Sequence, residues 1–190
     1  MTMKLSPHQL IPINAKTIRM LDPYCCYSDD RLREVLGDDS YTALEVLTSR
    51  DGERAKVSNA HRLWVMYTNG IMTPKSQRLS AVDCGRRALQ RVQDAGGHPH
   101  PNSWAACDAA ERHAHGQATD QELQAAYKAA AAAAYWASDA AAWSAAWMAA
   151  GSAAAAEVMP SVIGARSHEA ERARQVQWWV DFLRNEEAKS

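Results

Sequence analysis

The sequence predicts an all-α protein, a single bundle of about six to eight helices around a long central helix rich in alanine and tryptophan. Three observations carry that prediction. Alanine fills 37 of the 190 positions, 30 of them after residue 100. It has the highest intrinsic helix propensity and is depleted in strands, which excludes a sandwich or barrel. Capping residues and glycine or proline stops recur along the chain. Between them, apolar residues repeat at spacings of three and four, the pattern of helices buried along one side.

Taken in order, the first 27 residues contain Pro7, Pro12 and Pro23 and leave room for one short helix, from Ala15 to Leu21. Ser28 is an N-cap for Asp29 to Leu36, with two aspartates where the helix dipole favours negative charge and Gly37 at the stop. A second helix is expected from Ser40 to Ser49, burying Leu44 and Leu47, and a third from Glu53 to Tyr67, ended by Asn69-Gly70. Thr73-Pro74 opens and Gly96-Gly97 closes the next, whose stripe is Val82, Leu89 and Val92, with Asp83, Arg87 and Arg91 opposite. His98 to Asn102 reads as a proline-broken connector, and Ser103 as the cap of a helix running to His115 and ended by Gly116.

Thr119 and Glu122 then form a capping box before the longest helical stretch, which reaches Met159 before Pro160, with a kink at Gly151-Ser152. On a helical wheel Trp136, Trp143 and Trp147 share one side within about 20 degrees, while Leu123 and Tyr127 point the other way. A helix apolar all round belongs in the middle of a bundle. The last helix, His168 to Glu187, carries Val176, Trp179, Val180 and Leu183 as its core stripe, flanked by Trp178 and Phe182. The length fits one ordinary domain. It is read as an N-terminal helical portion over residues 1–70, irregular in its first 27, and an alanine-rich bundle over residues 71–190, packed as one unit.

Residues 129–156 carry one charge, Asp139, but no Leu, Ile, Val or Phe, so their insertion into a bilayer is not favoured. The four cysteines, Cys25, Cys26, Cys84 and Cys107, show no second pair at metal-finger spacing, and the first fifteen residues hold no signal-peptide core. A reduced, cytoplasmic chain follows as the expectation.

No nucleophile elbow, His-Glu-x-x-His motif or phosphate loop occurs in the sequence, and no catalytic residue is assigned. His98 and His100, and His113 and His115, form two His-x-His pairs. Helix positions two apart diverge by about 200 degrees, so His113 and His115 do not grip one ion; His98 and His100 in the connector could, but no Cys or acidic residue lies at the usual ligand spacing, and neither a metal nor another cofactor is expected. Asp139, lone in an apolar helix, is a candidate buried polar or ligand group, with Glu111 and His113 as candidates to line a cleft beside it.

Two charge blocks stand out. Residues 29–53 hold eight acids against three arginines, a balance of −5, and residues 75–91 hold five cations against Asp83, a balance of +4. They either pair within the protein or form a docking face, for which Asp29, Asp30, Asp38, Asp39, Arg87 and Arg91 are the candidate contacts. Trp178 is a candidate interface anchor, because it lies about 100 degrees from its core neighbour Trp179. A +4 block in a chain of net charge −1 is a weak footprint for nucleic acid.

The segment Ala110-Glu111-Arg112-His113-Ala114-His115-Gly116-Gln117-Ala118-Thr119, followed by Glu122-Leu123 and the alanine-rich stretch, resembles the Imm-five-like domain of immunity proteins. The resemblance extends over about residues 58 to 183. His61-Arg62-Leu63-Trp64-Val65-Met66 is similar to a block of that family, Ala81 to Val92 to one of its helices, and Gln175 or Gln177 to a glutamine in its closing helix. The chain departs from the family where His113 replaces an aromatic residue and His61-Arg62 an acidic-tryptophan pair. The resemblance implies an all-helical domain of toxin-immunity settings and phage accessory genes, acting by binding rather than catalysis. The expected function is therefore a non-enzymatic inhibitor that docks on a protein partner, a toxin or a host defence effector such as a CRISPR-Cas component. Two alternatives are a small-ligand or metal-binding protein with a cavity near Asp139, and a structural module that self-associates as a homodimer.

Overall fold

A computed structural model describes residues 5–22, 27–36, 39–68, 70–135 and 169–189. Among them the fold is all-α. The helices are α1 (Ala15–Leu21), α2 (Asp29–Leu36), α3 (Ala43–Thr48), α4 (Asn59–Tyr67), α5 (Pro74–Asp94), α6 (Pro101–Ala114), α7 (Asp120–Tyr135) and α8 (Glu169–Glu187), with a 3-10 turn over Gly52–Lys56. Among the described residues the only extended pairing is two isolated antiparallel bridges, Gln9 with Met72 and Ile13 with Tyr41. The described residues fall into two compact units, one drawn from 1–73 and 160–190 and the other from 74–159.

The first unit is built on large side chains. Ile13, Ile18, Leu47, Leu63, Trp179 and Leu183 are fully buried in one cluster, and α8 packs on α3 and α4. Trp179 is 0% exposed and meets the ring of Tyr67 edge-on at 6.0 Å. The division at residue 70 read from the sequence thus differs from the structure at α8, which belongs with the N-terminal helices. Its stripe of Val176, Trp179, Val180 and Leu183 matches their Leu, Ile and Met surfaces in bulk.

Gln9 fixes the irregular N-terminal segment. Its Oε1 accepts the Ala43 backbone N–H at 2.7 Å, at the start of α3, and its Nε2 donates to the Ile11 carbonyl at 2.8 Å. Arg62 does similar work from α4. Buried at 2% exposure, its guanidinium donates to the carbonyls of Val46 and Ser49 at the end of α3 and to those of Arg54 and Val57. Burial pushes its pKa down to about 10, still well above neutral, so it stays charged and supplies donors to carbonyls that α3 leaves open.

Among its described residues, the second unit packs α6 through small side chains. On α6, Ser103, Ala106, Cys107, Ala110 and Ala114 are buried along one side, and this helix packs against both α5 and α7. Val82, Leu89 and Val92 of α5 and Ala130 of α7 complete the cluster, with Trp104, Leu123 and Tyr127 half-buried at its edge. The stripe predicted for α5 is therefore its core face. Helix α5 stops at Gly96, where φ is +83°, and the Gly97 N–H closes on the Val92 carbonyl at 2.9 Å.

Three boundaries differ from the sequence reading. Helix α3 begins after Thr42, whose capping box with Glu45 overrides Ser40, while Tyr41 is held in its bridge to Ile13. The expected helix from Glu53 splits into the 3-10 turn and α4, because Ser58 supplies a fresh N-cap to the His61 amide at 3.3 Å. Helix α6 begins at Pro101 rather than after Ser103, with the His100 ring as its cap and proline at its first position. Helix α7 follows Thr119 as expected. The rest of the long helix, with Trp136, Trp143, Trp147 and the Gly151-Ser152 kink, lies outside the described residues.

Candidate functional site

A groove of about 600 Å³ opens between α1 and α2 in the first unit. Each wall is set by a cap. The Asn14 side chain accepts the Thr17 amide at 2.9 Å, with Thr17 returning the bond to the Asn14 N–H, and Ser28 Oγ accepts the Arg31 amide at 3.1 Å. Helical spacing then aligns Ala15, Lys16, Arg19 and Met20 on one wall and Asp29, Leu32 and Arg33 on the other. Leu32 is 3% exposed and forms the floor, whereas Met20 is 64% exposed.

The cations of the groove differ in freedom. Arg19 is fixed, its Nε donating to Asp29 at 2.7 Å and its Nη2 to the Tyr27 carbonyl at 2.6 Å. Arg33 reaches Asp30 at 3.3 Å, but the Asp30 side chain is 96% exposed, so the pair is weakly held. Lys16 is exposed and has no partner among the described residues. Among the described residues, the groove is thus an apolar floor between walls carrying three cations and one carboxylate.

The acidic block is largely occupied. Beyond the bonds of Asp29 and Asp30, Arg31 ties Glu34 at 2.7 Å to Glu53 at 2.8 Å, joining α2 to the 3-10 turn. Bonds from Lys56 first and Arg31 second hold the Glu53 carboxyl below its usual range. Asp39 is exposed, and Asp38 lies outside the described residues. The basic block is occupied too. Arg86 binds Asp108 and Glu111, each at 2.7 Å, and the Glu111 bond above all raises its pKa. Arg87 pairs with Asp83 one turn away on α5 and donates to Cys84 Sγ at 3.4 Å, while Arg91 is exposed. These pairs each close within one unit.

Glu111 and His113, predicted to flank a common cleft, bind different cations. His113 bridges three helices, its Nδ1 facing Arg78 Nη1 of α5 at 2.8 Å and its Nε2 facing Asp120 of α7 at 2.6 Å. A guanidinium only donates, so the Arg78 contact suits an accepting Nδ1 and leaves Nε2 to donate to Asp120, and the ring links α5 to α7. Asp139 lies outside the described residues. Trp178 is half-buried, with its face stacked on Phe182 at 5.0 Å and its edge toward Trp179 at 5.3 Å; Phe182 in turn meets the His8 ring at 4.7 Å. His100 caps α6 through the Asn102 amide at 3.1 Å.

Among the described residues, no group of three His, Cys, Asp or Glu side chains is placed to hold a metal ion, and no helix is long and apolar enough to cross a membrane. The groove residues Lys16, Arg19, Met20, Leu32 and Arg33 were not singled out from the sequence. Their signal was present, since Lys16 and Met20 are polar and apolar neighbours on a seven-residue helix that needs only part of its surface for packing. Comparison of the chain with protein-family models, with curated proteins and with solved structures finds no match.

Proposed function

We propose that this chain is a non-enzymatic binding protein of the inhibitor type, an immunity or anti-defence protein that docks in the cytoplasm on a toxin or on a host defence effector such as a CRISPR-Cas component and neutralises it. The observation that supports this reading most is the open groove between α1 and α2. Among the described residues, exposed Met20 and unpaired Lys16 beside the buried Leu32 offer a partner both apolar and cationic contacts, and methionine is a frequent choice at adaptable protein-binding surfaces. The sequence resemblance to immunity domains points the same way.

The test is retention of a partner from a lysate of the host cell by the tagged full chain, read by mass spectrometry. One protein held at near-stoichiometric amounts, whose activity falls on addition of the chain, is the expected result. No protein retained at such amounts would overturn the proposal.

A further inference from the structure

We infer that the groove between α1 and α2 receives a short acidic amphipathic helix of another protein, whose apolar residues rest on Leu32, Ala15 and Met20 and whose carboxylates meet Lys16 and Arg33. This rests on the protein-binding function proposed above and names the chemistry of the partner at that site. Length comes first. A wall of seven residues rising 1.5 Å each is about 10 Å long, so the groove accepts about two helical turns, or one pair of anchors at i and i+4. A volume of about 600 Å³ suits that many side chains.

Charge then selects among occupants. Lys16, Arg19 and Arg33 outnumber Asp29 on the walls, and Arg19 and Asp29 already neutralise one another. The cations left to a ligand are Lys16, which has no partner among the described residues, and Arg33, which is paired with the solvated Asp30. A carboxylate brought to Arg33 exchanges one exposed pair for another that is less solvated, and a carboxylate at Lys16 makes a new pair. A basic helix would set its own cations against these two.

The floor excludes the other acidic macromolecule. A phosphate backbone would gain from Lys16 and Arg33 but nothing from Leu32, Ala15 and the exposed Met20. An acidic helix with apolar anchors uses both features.

The probe is a synthetic amphipathic helical peptide with leucines at i and i+4 and glutamates on either side. It is compared with its lysine counterpart and with a single-stranded oligonucleotide, each titrated into the full chain by fluorescence anisotropy. Saturable binding of the acidic peptide alone is expected, weakening as salt rises from about 50 to about 300 mM and falling by about tenfold or more in Lys16→Glu/Arg33→Glu. Amide shift changes confined to Ala15, Lys16, Arg19, Met20, Leu32 and Arg33 are expected in the wild-type chain, a readout that does not depend on the variant folding. Equal binding of the two peptides, binding of the oligonucleotide in place of the peptide, or shifts elsewhere would overturn the inference. The two proposals fail separately: a lysate partner still held by Lys16→Glu/Arg33→Glu contradicts the acidic-helix site and leaves the protein-binding function standing.

Discussion

The two units of this protein solve the same packing problem with opposite materials. The unit holding α1 to α4 and α8 fills its interior with Ile, Leu, Met and Trp, while α5, α6 and α7 meet through Ala106, Cys107, Ala110 and Ala130. Large side chains hold helices apart and fill the space between them. Small ones let the helices approach, and their stabilisation comes from backbone proximity and helix propensity. The first unit should therefore be sensitive to truncation and the second to enlargement.

The largest effect is expected where the first core is most dependent on one side chain. Trp179→Ala should cost about 3 to 5 kcal/mol, read as a loss of denaturant midpoint, with the amides of α3, α4 and α8 losing exchange protection first. Arg62→Met should cost about 3 kcal/mol, since it leaves the carbonyls of Val46, Ser49, Arg54 and Val57 without their donor, and Arg62→Lys should not restore it, because an ammonium lacks the planar fork. In the second unit, Ala110→Leu should cost about 1 to 3 kcal/mol by forcing α6 away from its neighbours. If Ala110→Leu proves neutral while Trp179→Ala is severe, the α6 interface is looser than its buried alanines indicate.

A smaller effect is expected from pH. The Thr119 backbone and hydroxyl bonds hold the Glu122 carboxyl below its usual range. A carboxylate depressed in the folded state contributes stability above its unfolded pKa and loses it as the pH falls through the folded value. The first-turn amides of α7 should therefore lose protection, measured as the exchange rate relative to the intrinsic rate at each pH, below the ordinary glutamate range, and Glu122→Gln should flatten that dependence.

The same contrast explains what was legible in the sequence. The stripes Val82, Leu89, Val92 and Val176, Trp179, Val180, Leu183 declare a helix and its buried side together, so α5 and α8 could be read closely. Alanine declares a helix but not a neighbour, and this is why α8 was grouped with residues 71–190 although its bulky stripe fits the other core. Caps compete within a few residues: Ser40 yields to Thr42, whose box with Glu45 is joined by the Gln9 bond to the Ala43 amide, and Ser103 yields to His100, whose ring takes the Asn102 amide ahead of it. The charge blocks drew attention as candidate docking faces because spacing shows charge without showing its partners. Arg31 and Arg86 each turn out to hold two carboxylates. The groove is only half legible: the sequence places Lys16 and Met20 side by side on a short helix, but the exposure of Met20 and the lack of a partner for Lys16 among the described residues depend on how α2 lies against α1.

The most direct test compares partner retention from host lysate by three forms of the full chain: wild type, Lys16→Glu/Arg33→Glu and Arg87→Glu/Arg91→Glu. Recognition through the α1–α2 groove predicts that the wild type and Arg87→Glu/Arg91→Glu hold the same protein at near-stoichiometric amounts and that Lys16→Glu/Arg33→Glu releases it. Loss of that protein from Arg87→Glu/Arg91→Glu, with Lys16→Glu/Arg33→Glu still binding, would contradict the account and move recognition to the basic face of α5.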